Sequence, residues 1–294
     1  MLPDNDSLAL FVKAAECGSI TKAAEASHIS LGAASRRIAL LEHKFNTTLF
    51  ERTSKGIQLT HAGSALVEYA KNILVDLNKM QSEMSAFETG SKGVLRVLAA
   101  SSAMAQYLPE DLARFSRAYP DYRLIVHEAW STEIIQSVSS GEADVGVIVK
   151  GAIVDGLDII EYRTDQLAAL FRADHPLAKR KSIEFADVLD YELIGLEASA
   201  NLMKLLTMEA TNLEKTMKLR VEVKSFEAVL RMVQSDLGVG LLPKDFGMSK
   251  TGTGDLVCKP LPEAWAVRQM LICTRKEKQK SQALLDFLSI LIPT

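Results

Sequence analysis

The stretch SITKAAEASHISLGAASRRIALLEHKFNTTLFER, running from Ser19 to Arg52, decides how the chain is organised. It reads as two short helices joined by a tight turn. Gly18 suits the left-handed end of a preceding helix, and Ser19 supplies a hydroxyl that caps the next. Ile20, Ala23 and Ala24 are compact enough to let a following helix cross close by. His28-Ile29 forms the turn, and Ser30 is placed to cap the N–H groups beyond it. In the second helix Ala34, Ile38, Leu41 and Phe45 fall at i, i+4, i+7 and i+11, which makes one buried face. The opposite face carries Leu31, Gly32, Ser35, Arg36 and Ala39. A purely structural surface helix places long charged residues there, whereas small residues let a helix sink towards base edges and an Arg reach guanine or phosphate. The spacing therefore predicts a helix-turn-helix whose second helix fits the DNA major groove.

Working outward, Leu8, Phe11, Val12 and Ala15 repeat at helical spacing after Asp4 and Asp6, either of which can cap a helix start. Asn46 stands where the second helix must stop. From Leu49 to Thr60 apolar and polar residues alternate around Ser54-Lys55-Gly56, the pattern of a two-stranded wing with Lys55 at its tip. Arg36, Arg37, Lys44, Arg52 and Lys55 face only Glu42 and Glu51 in this region, so it is locally basic in a chain of net charge −3. The DNA-contacting candidates are Ser30, Leu31, Gly32, Ser35, Arg36, Arg37 and Lys55. For Arg37, Lys44 and Arg52, a salt bridge or solvated surface is an equal reading.

The run Leu10-Phe11-Val12, Gly18-Ser19-Ile20-Thr21, Ala23-Ala24, Ser30, Ser35-Arg36-Arg37-Ile38, Leu41-Glu42, Leu49-Phe50-Glu51-Arg52, Leu59-Thr60 and Gly63 resembles the winged helix-turn-helix of LysR-type transcriptional regulators. The chain departs from the family pattern in Leu31-Gly32, where Gln-Pro is usual, and in Ser27, where Leu is usual. Leu31 suits a thymine methyl, so operator preference does not transfer from relatives.

Between Thr60 and Phe87, Gly63, Ala70, Leu77 and Met84 recur every seven residues, with Leu66, Ile73, Met80 and Phe87 three positions later. A helix packed on its own domain is one reading of this repeat; the 3.5 period and polar outer positions favour the other, one long helix pairing subunits through an a/d seam, with Leu66, Ile73, Leu77, Met80, Met84 and Phe87 as dimerisation residues. The expected domains are a winged helix-turn-helix at 1–60, a linker helix at 61–90 and an effector-binding domain at 91–294. Thr89-Gly90-Ser91-Lys92-Gly93 is the hinge.

Beyond it strands and helices alternate. Strands are expected at Val94–Ala99, Tyr122–His127, Ala143–Val149, Gln166–Arg172, Glu192–Leu196, Leu219–Val223, Val239–Leu242 and Gln269–Thr274, apart from the segment Leu157–Tyr162. This alternation implies parallel sheet covered by helices, an α/β class. The resemblance continues through Leu108-Pro109, Gly141-Glu142-Ala143-Asp144-Val145, His175-Pro176-Leu177-Ala178 and Leu237-Gly238-Val239-Gly240-Leu241-Leu242-Pro243. It implies two lobes like those of periplasmic binding proteins, one at about 93–165 plus 268–294 and the other at about 166–267, around a small-molecule cleft. Asp236 stands where the family usually has Gly, which points to an unusual backbone conformation.

Ligands in open α/β sheets sit at the carboxyl ends of strands. Those ends nominate Ser101, Ser102, Ser131, Thr132, Lys150, Ser199, Asn201 and Phe226 as effector contacts. The hydroxyls read as lying just before helices, where N–H groups favour an anion; as N-caps they have a purely structural reading too. Trp130 is either an aromatic wall or packing.

At 294 residues the chain exceeds one ordinary core. Its opening residues are acidic and lack an apolar signal core, and no apolar run spans a bilayer, so a cytoplasmic protein is expected. Cys17, Cys258 and Cys273 lack metal-ligand spacing. A redox-responsive regulator using Cys258 or Cys273 is the alternative within regulation. A solute-binding protein fits poorly with the basic N-terminal region. An enzyme fits no better: nucleophile elbow, P-loop and zinc motifs are missing, and only a Ser101–His127 pairing would hint at a triad. No cofactor is expected. Expected partners are double-stranded operator DNA with inverted-repeat half-sites, an effector with anionic character, further copies of the chain in a dimer or tetramer, and RNA polymerase as a further candidate.

Overall fold

Asp4 accepts the Ser7 N–H at 2.9 Å and so starts α1 (Asn5–Cys17), which Gly18 ends at φ 59°. The computed structural model describes residues 3–53, 56–89, 92–151, 156–251, 254–276 and 280–292. α2 (Ile20–Ala26) begins on the Ser19 hydroxyl. His28, at φ 54°, makes the turn. The Ser30 hydroxyl accepts from Ala33 N at 3.2 Å to open α3 (Leu31–Phe45), and Asn46 closes it in the left-handed region. β1 (Phe50–Thr53) and β2 (Gly56–Leu59) form the antiparallel wing. Glu42 pins that wing, its Oε1 accepting from Leu49 N at 2.7 Å and Phe50 N at 3.3 Å. Leu8, Phe11, Ala24, Ala34, Ile38 and Leu41 are buried together. Phe45 is a correction: it is 43% exposed. As the last residue of α3 it overhangs the packed helices just where Asn46 turns the chain away.

α4 (His61–Thr89) starts on Thr60, whose Oγ1 accepts from Gly63 N at 2.9 Å. Part of its heptad pattern packs within its own domain. Gly63 and Ala70 are buried in the helix's own domain, and Leu66 packs partly against the same core. A Cβ at Gly63 would overlap the Leu49 carbonyl, so this position is small because the wing lies against it. Farther along, Ile73, Met80 and Met84 are 44%, 51% and 54% exposed. Leu77 is half-buried, and the side chain of Phe87 lies outside the described residues, as does Lys55. Among the described residues no helix is long and apolar enough to cross a membrane.

The chain divides into the compact units Met1–Thr89 and Gly90–Thr294. In the second, β3 (Gly93–Ala99) leads through α5 (Ser101–Ala105) and α6 (Leu108–Ala118) to β4 (Tyr122–Glu128), then through α7 (Ser131–Ser140) to β5 (Val145–Val149). These strands are parallel, in the order β4-β3-β5. β6 (Leu157–Arg172) carries the chain into the other lobe. There α8 (Phe185–Val188), β7 (Glu192–Leu196), α9 (Asn201–Asn212), β8 (Lys218–Val223), α10 (Phe226–Gln234) and β9 (Val239–Pro243) follow, with β7 parallel to both β8 and β9. α11 (Lys244–Ser249) and β10 (Leu256–Pro260) precede β11 (Val267–Arg275), and α12 (Gln282–Leu291) returns to the first lobe.

The separate segments read at Leu157–Tyr162 and Gln166–Arg172 are one strand of 16 residues. It stays continuous because β11 pairs with it from Leu157 to Gln166, before β9 takes over from Leu167 to Leu170. β6 and β11 therefore cross between the lobes side by side. Asp236 does adopt a left-handed conformation, at φ 61°, where α10 turns into β9.

Candidate functional site

In the N-terminal unit the face of α3 away from the core is open. Leu31 is 48% exposed, and Ser30, Gly32 and Arg36 are also exposed, with Ser35 half-buried. Arg36 has no hydrogen-bond or ion-pair partner among the described residues. Arg37 differs: its guanidinium meets Asp6 at 3.3 Å, which ties α3 to α1. Gly32 has nothing within 4 Å of where a Cβ would stand, and its backbone does not require glycine. A glycine inside a helix costs about 1 kcal/mol relative to alanine, so its presence on the open face needs another reason, such as close approach of a partner. Gly32→Ala is expected to raise the stability of this domain by about 0.5–1 kcal/mol while weakening or re-ranking operator binding. Urea unfolding and a gel-shift titration together check this; tighter folding with unchanged DNA affinity and preference would remove Gly32 from the interface.

In the second unit, residues of both lobes line one cleft. Ala100, Ser101, Ser102, Trp130, Ser131 and Val149 come from one side, Leu196, Ala200, Asn201, Leu202 and Phe226 from the other, and Arg268 from a crossover strand. Trp130 does both things left open for it, lining the cleft and packing against the core of the opposite lobe. The cavity is about 30 Å³, room for roughly one water molecule.

At the base, Asp165 on β6 and Arg268 on β11 are strand partners and form a buried two-contact ion pair, with Arg268 Nε donating to Asp165 Oδ1 at 2.9 Å. Arg268 Nη2 also donates to Ser102 Oγ at 3.0 Å, and Gln106 Nε2 donates to Ser102 O at 3.0 Å and Asp165 Oδ2 at 3.3 Å. This network joins the α5 segment to both crossover strands. Beside the cleft, the Tyr107 hydroxyl donates to Asp245 Oδ2 of the other lobe at 2.9 Å. Burial, with that carboxylate, pushes the Tyr107 hydroxyl up to about 12, so it remains a donor across the physiological range.

The hydroxyl positions need correction. Ser101 and Ser131 are the first residues inside α5 and α7; the capping positions are Ala100 and Trp130, which have no side-chain acceptor. Ala200 likewise leaves α9 without a side-chain cap, while Ser225 caps α10. The first-turn N–H groups of α7 and α9 are therefore open to a ligand. The buried Nδ2 of Asn201 also has no partner among the described residues. Thr132, Lys150 and Ser199 do not join the site: all three are exposed, and Lys150 Nζ meets Gln269 at 3.3 Å. A step of one residue along a helix turns a side chain by about 100°, which is why Ser131 faces the cleft and Thr132 does not. Arg268, Asp165 and Gln106 were not nominated by the sequence.

The other chemistries find no support in these positions. The Ser101 hydroxyl donates to Glu128 at 2.5 Å rather than to His127. Burial pushes the Cys258 and Cys273 thiols up to about 12, so little thiolate forms at neutral pH.

An open helix-turn-helix face followed by a two-lobed cleft defines a DNA-binding regulator with a ligand domain. Residues 6–64 match the family of bacterial regulatory helix-turn-helix proteins of lysR type, and residues 88–293 match the LysR substrate binding domain. The chain belongs to the LysR family of transcriptional regulators. It is 26% identical to an uncharacterized HTH-type transcriptional regulator, YbhD, of Escherichia coli K12, over 97% of this chain and 90% of that protein. It is also 26% identical to a probable RuBisCO transcriptional regulator of Trichormus variabilis, over 98% of this chain and 87% of that one. Its fold resembles that of full-length CbnR complexed with its target DNA, at TM-score 0.59 and 20% identity, covering 98% of each chain. Full-length BenM is similar at TM-score 0.59 and 22% identity, over 98% of this chain and 95% of that one. The chain is thus a transcriptional regulator and not an enzyme.

Proposed function

We propose that this regulator binds inverted-repeat operator DNA as a homodimer in the cytoplasm, and that a small molecule in the cleft shifts the assembly between DNA-bound geometries. The observation that carries the DNA reading is Arg36, without a partner among the described residues, beside exposed Leu31 and Gly32 on the outer face of α3. In this reading residues 1–60 read DNA, 61–90 pair subunits through Ile73, Met80 and Met84, and 91–294 bind the effector. Ser30 and Ser35 position the recognition helix.

The effector reading rests on the donors facing the cleft. Asn201 Nδ2 and the uncapped starts of α7 and α9 suit an anionic end, while Trp130, Leu202 and Phe226 suit an apolar body. A cavity of about 30 Å³ admits no such molecule as it stands, so binding separates the lobes. A ligand acts by preferring one of the two arrangements.

Footprinting of the region upstream of the chain's own gene supplies an operator for the test. Arg36→Ala should then weaken binding by about 1–3 kcal/mol at fixed salt, the worth of a bidentate base contact. An unchanged affinity would take Arg36 out of base reading. For the cleft, carboxylates and aromatic acids that raise the melting temperature of the full chain, but not of Asn201→Ala, would support the effector assignment.

A further inference from the structure

A pocket of about 360 Å³ opens on the first lobe, sharing no lining residue with the cleft, and is lined by Tyr107, Glu110, Asp111, Arg114, Arg117 and Arg163. Arg114 and Arg117 lie one turn apart on α6, and Arg163 reaches the same space from β6. The arrangement is built around Asp111, which is buried at 4% exposure. Tyr162 donates its hydroxyl to Asp111 Oδ2 at 2.5 Å, Arg114 pairs with Oδ1, and Arg163 stands 3.9 Å from Oδ2. Arg163 also lies over the Tyr162 ring, 5.1 Å from its centre, and Arg114 donates to Ile290 O at 3.2 Å. Both guanidiniums are thereby held in fixed directions, each with more donors than these contacts use.

Arg117 is exposed and has no partner among the described residues. The pocket's arginines outnumber Glu110 and Asp111 by one positive charge, on a chain of net charge −3. The buried carboxylate orients the arginines without occupying the space in front of them. A planar carboxylate is matched by one guanidinium, whereas three guanidiniums from different directions match the oxygens of a phosphoryl group.

We propose that this pocket is a second ligand site, distinct from the cleft, that takes a phosphoryl group, either as free phosphate or as a small phosphate monoester. Its position gives occupancy a consequence. Arg163, Thr164 and Asp165 are consecutive on β6; Asp165 pairs with Arg268 at the base of the cleft, and the Tyr107 hydroxyl bonds both Thr164 O and Asp245 of the other lobe. An anion held at Arg163 therefore bears on the crossover strand and the contact that keep the lobes together.

The test uses the full chain, titrated calorimetrically with inorganic phosphate and with glycerol 3-phosphate at constant ionic strength set by chloride. Saturable binding is expected. It should weaken at least about fivefold in Arg117→Ala and further in Arg117→Glu, because each removes or reverses a charge-assisted contact. Glu110→Gln should tighten it by removing a competing carboxylate, and Asn201→Ala, in the cleft, should leave it unchanged. Tighter binding of the ester assigns the site to a phosphorylated metabolite, and equal binding assigns it to phosphate itself; either supports the proposal. Two results would overturn it: no saturable binding of either probe, or binding that survives Arg117→Glu and is lost in Asn201→Ala.

Discussion

Arg268→Met is expected to lower the melting temperature of the ligand-binding unit by about 6–20 °C, the largest effect of any single change in the cleft. The Asp165 side chain has no exposure and that of Arg268 has 6%. Among the described residues, removing the arginine leaves a buried carboxylate with only the Gln106 amide, 3.3 Å away. Breaking a buried pair from one side costs about 3–5 kcal/mol, and a unit of this size loses about 2–4 °C per kcal/mol. The double variant Asp165→Leu with Arg268→Met separates the causes. If the loss comes from the orphaned charge, the double variant recovers most of it, since a matched apolar pair is often neutral or better. Scanning calorimetry on both variants decides. A fall below about 2 °C in the single variant would mean that water reaches Asp165 and that the pair does not hold the crossover strands.

That pair also marks where reading the sequence stops. Asp165 and Arg268 are 103 residues apart and meet because β6 and β11 run side by side. Neither position has a local pattern that distinguishes it from an ordinary strand residue. Ser101, Ser131, Asn201 and Phe226 were legible because each follows a strand end, a property of neighbouring residues. Thr132, Lys150 and Ser199 satisfied the same local rule and still point into solvent, because the direction of a side chain depends on where the helix or loop begins. The helix-turn-helix was legible nearly in full, since its caps at Asp4, Ser19, Ser30 and Asn46 all act within four residues. The single strand from Leu157 to Arg172 was not, because the pairing that keeps it continuous comes from β11, about a hundred residues later.

Met80→Glu should convert the regulator to a monomer and reduce operator affinity by a factor of about 10²–10⁴, the advantage a second linked site confers. The argument begins with what α4 does alone. Its first turns lie against the winged domain, where Gly63 and Ala70 are buried and Leu66 is partly buried, so three of the eight heptad positions are already used within one chain. The rest are not. Ile73, Met80 and Met84 leave about half of their surfaces in water, and Tyr69 is 70% exposed on the same side of the helix. Such a row pays for itself only when covered, and a second copy of α4 presents a matching row, which makes a symmetric interface. A glutamate at position 80 would bring two like charges together in an apolar seam, whereas on a solvated monomer it costs little. Folding should therefore survive while assembly fails. Light scattering on Met80→Glu reads the assembly, and circular dichroism confirms that the helix remains. A single recognition helix makes few contacts, so DNA binding should follow the assembly state. A folded Met80→Glu dimer would place the subunit contact elsewhere, and a monomer with full operator affinity would break the link between pairing and recognition.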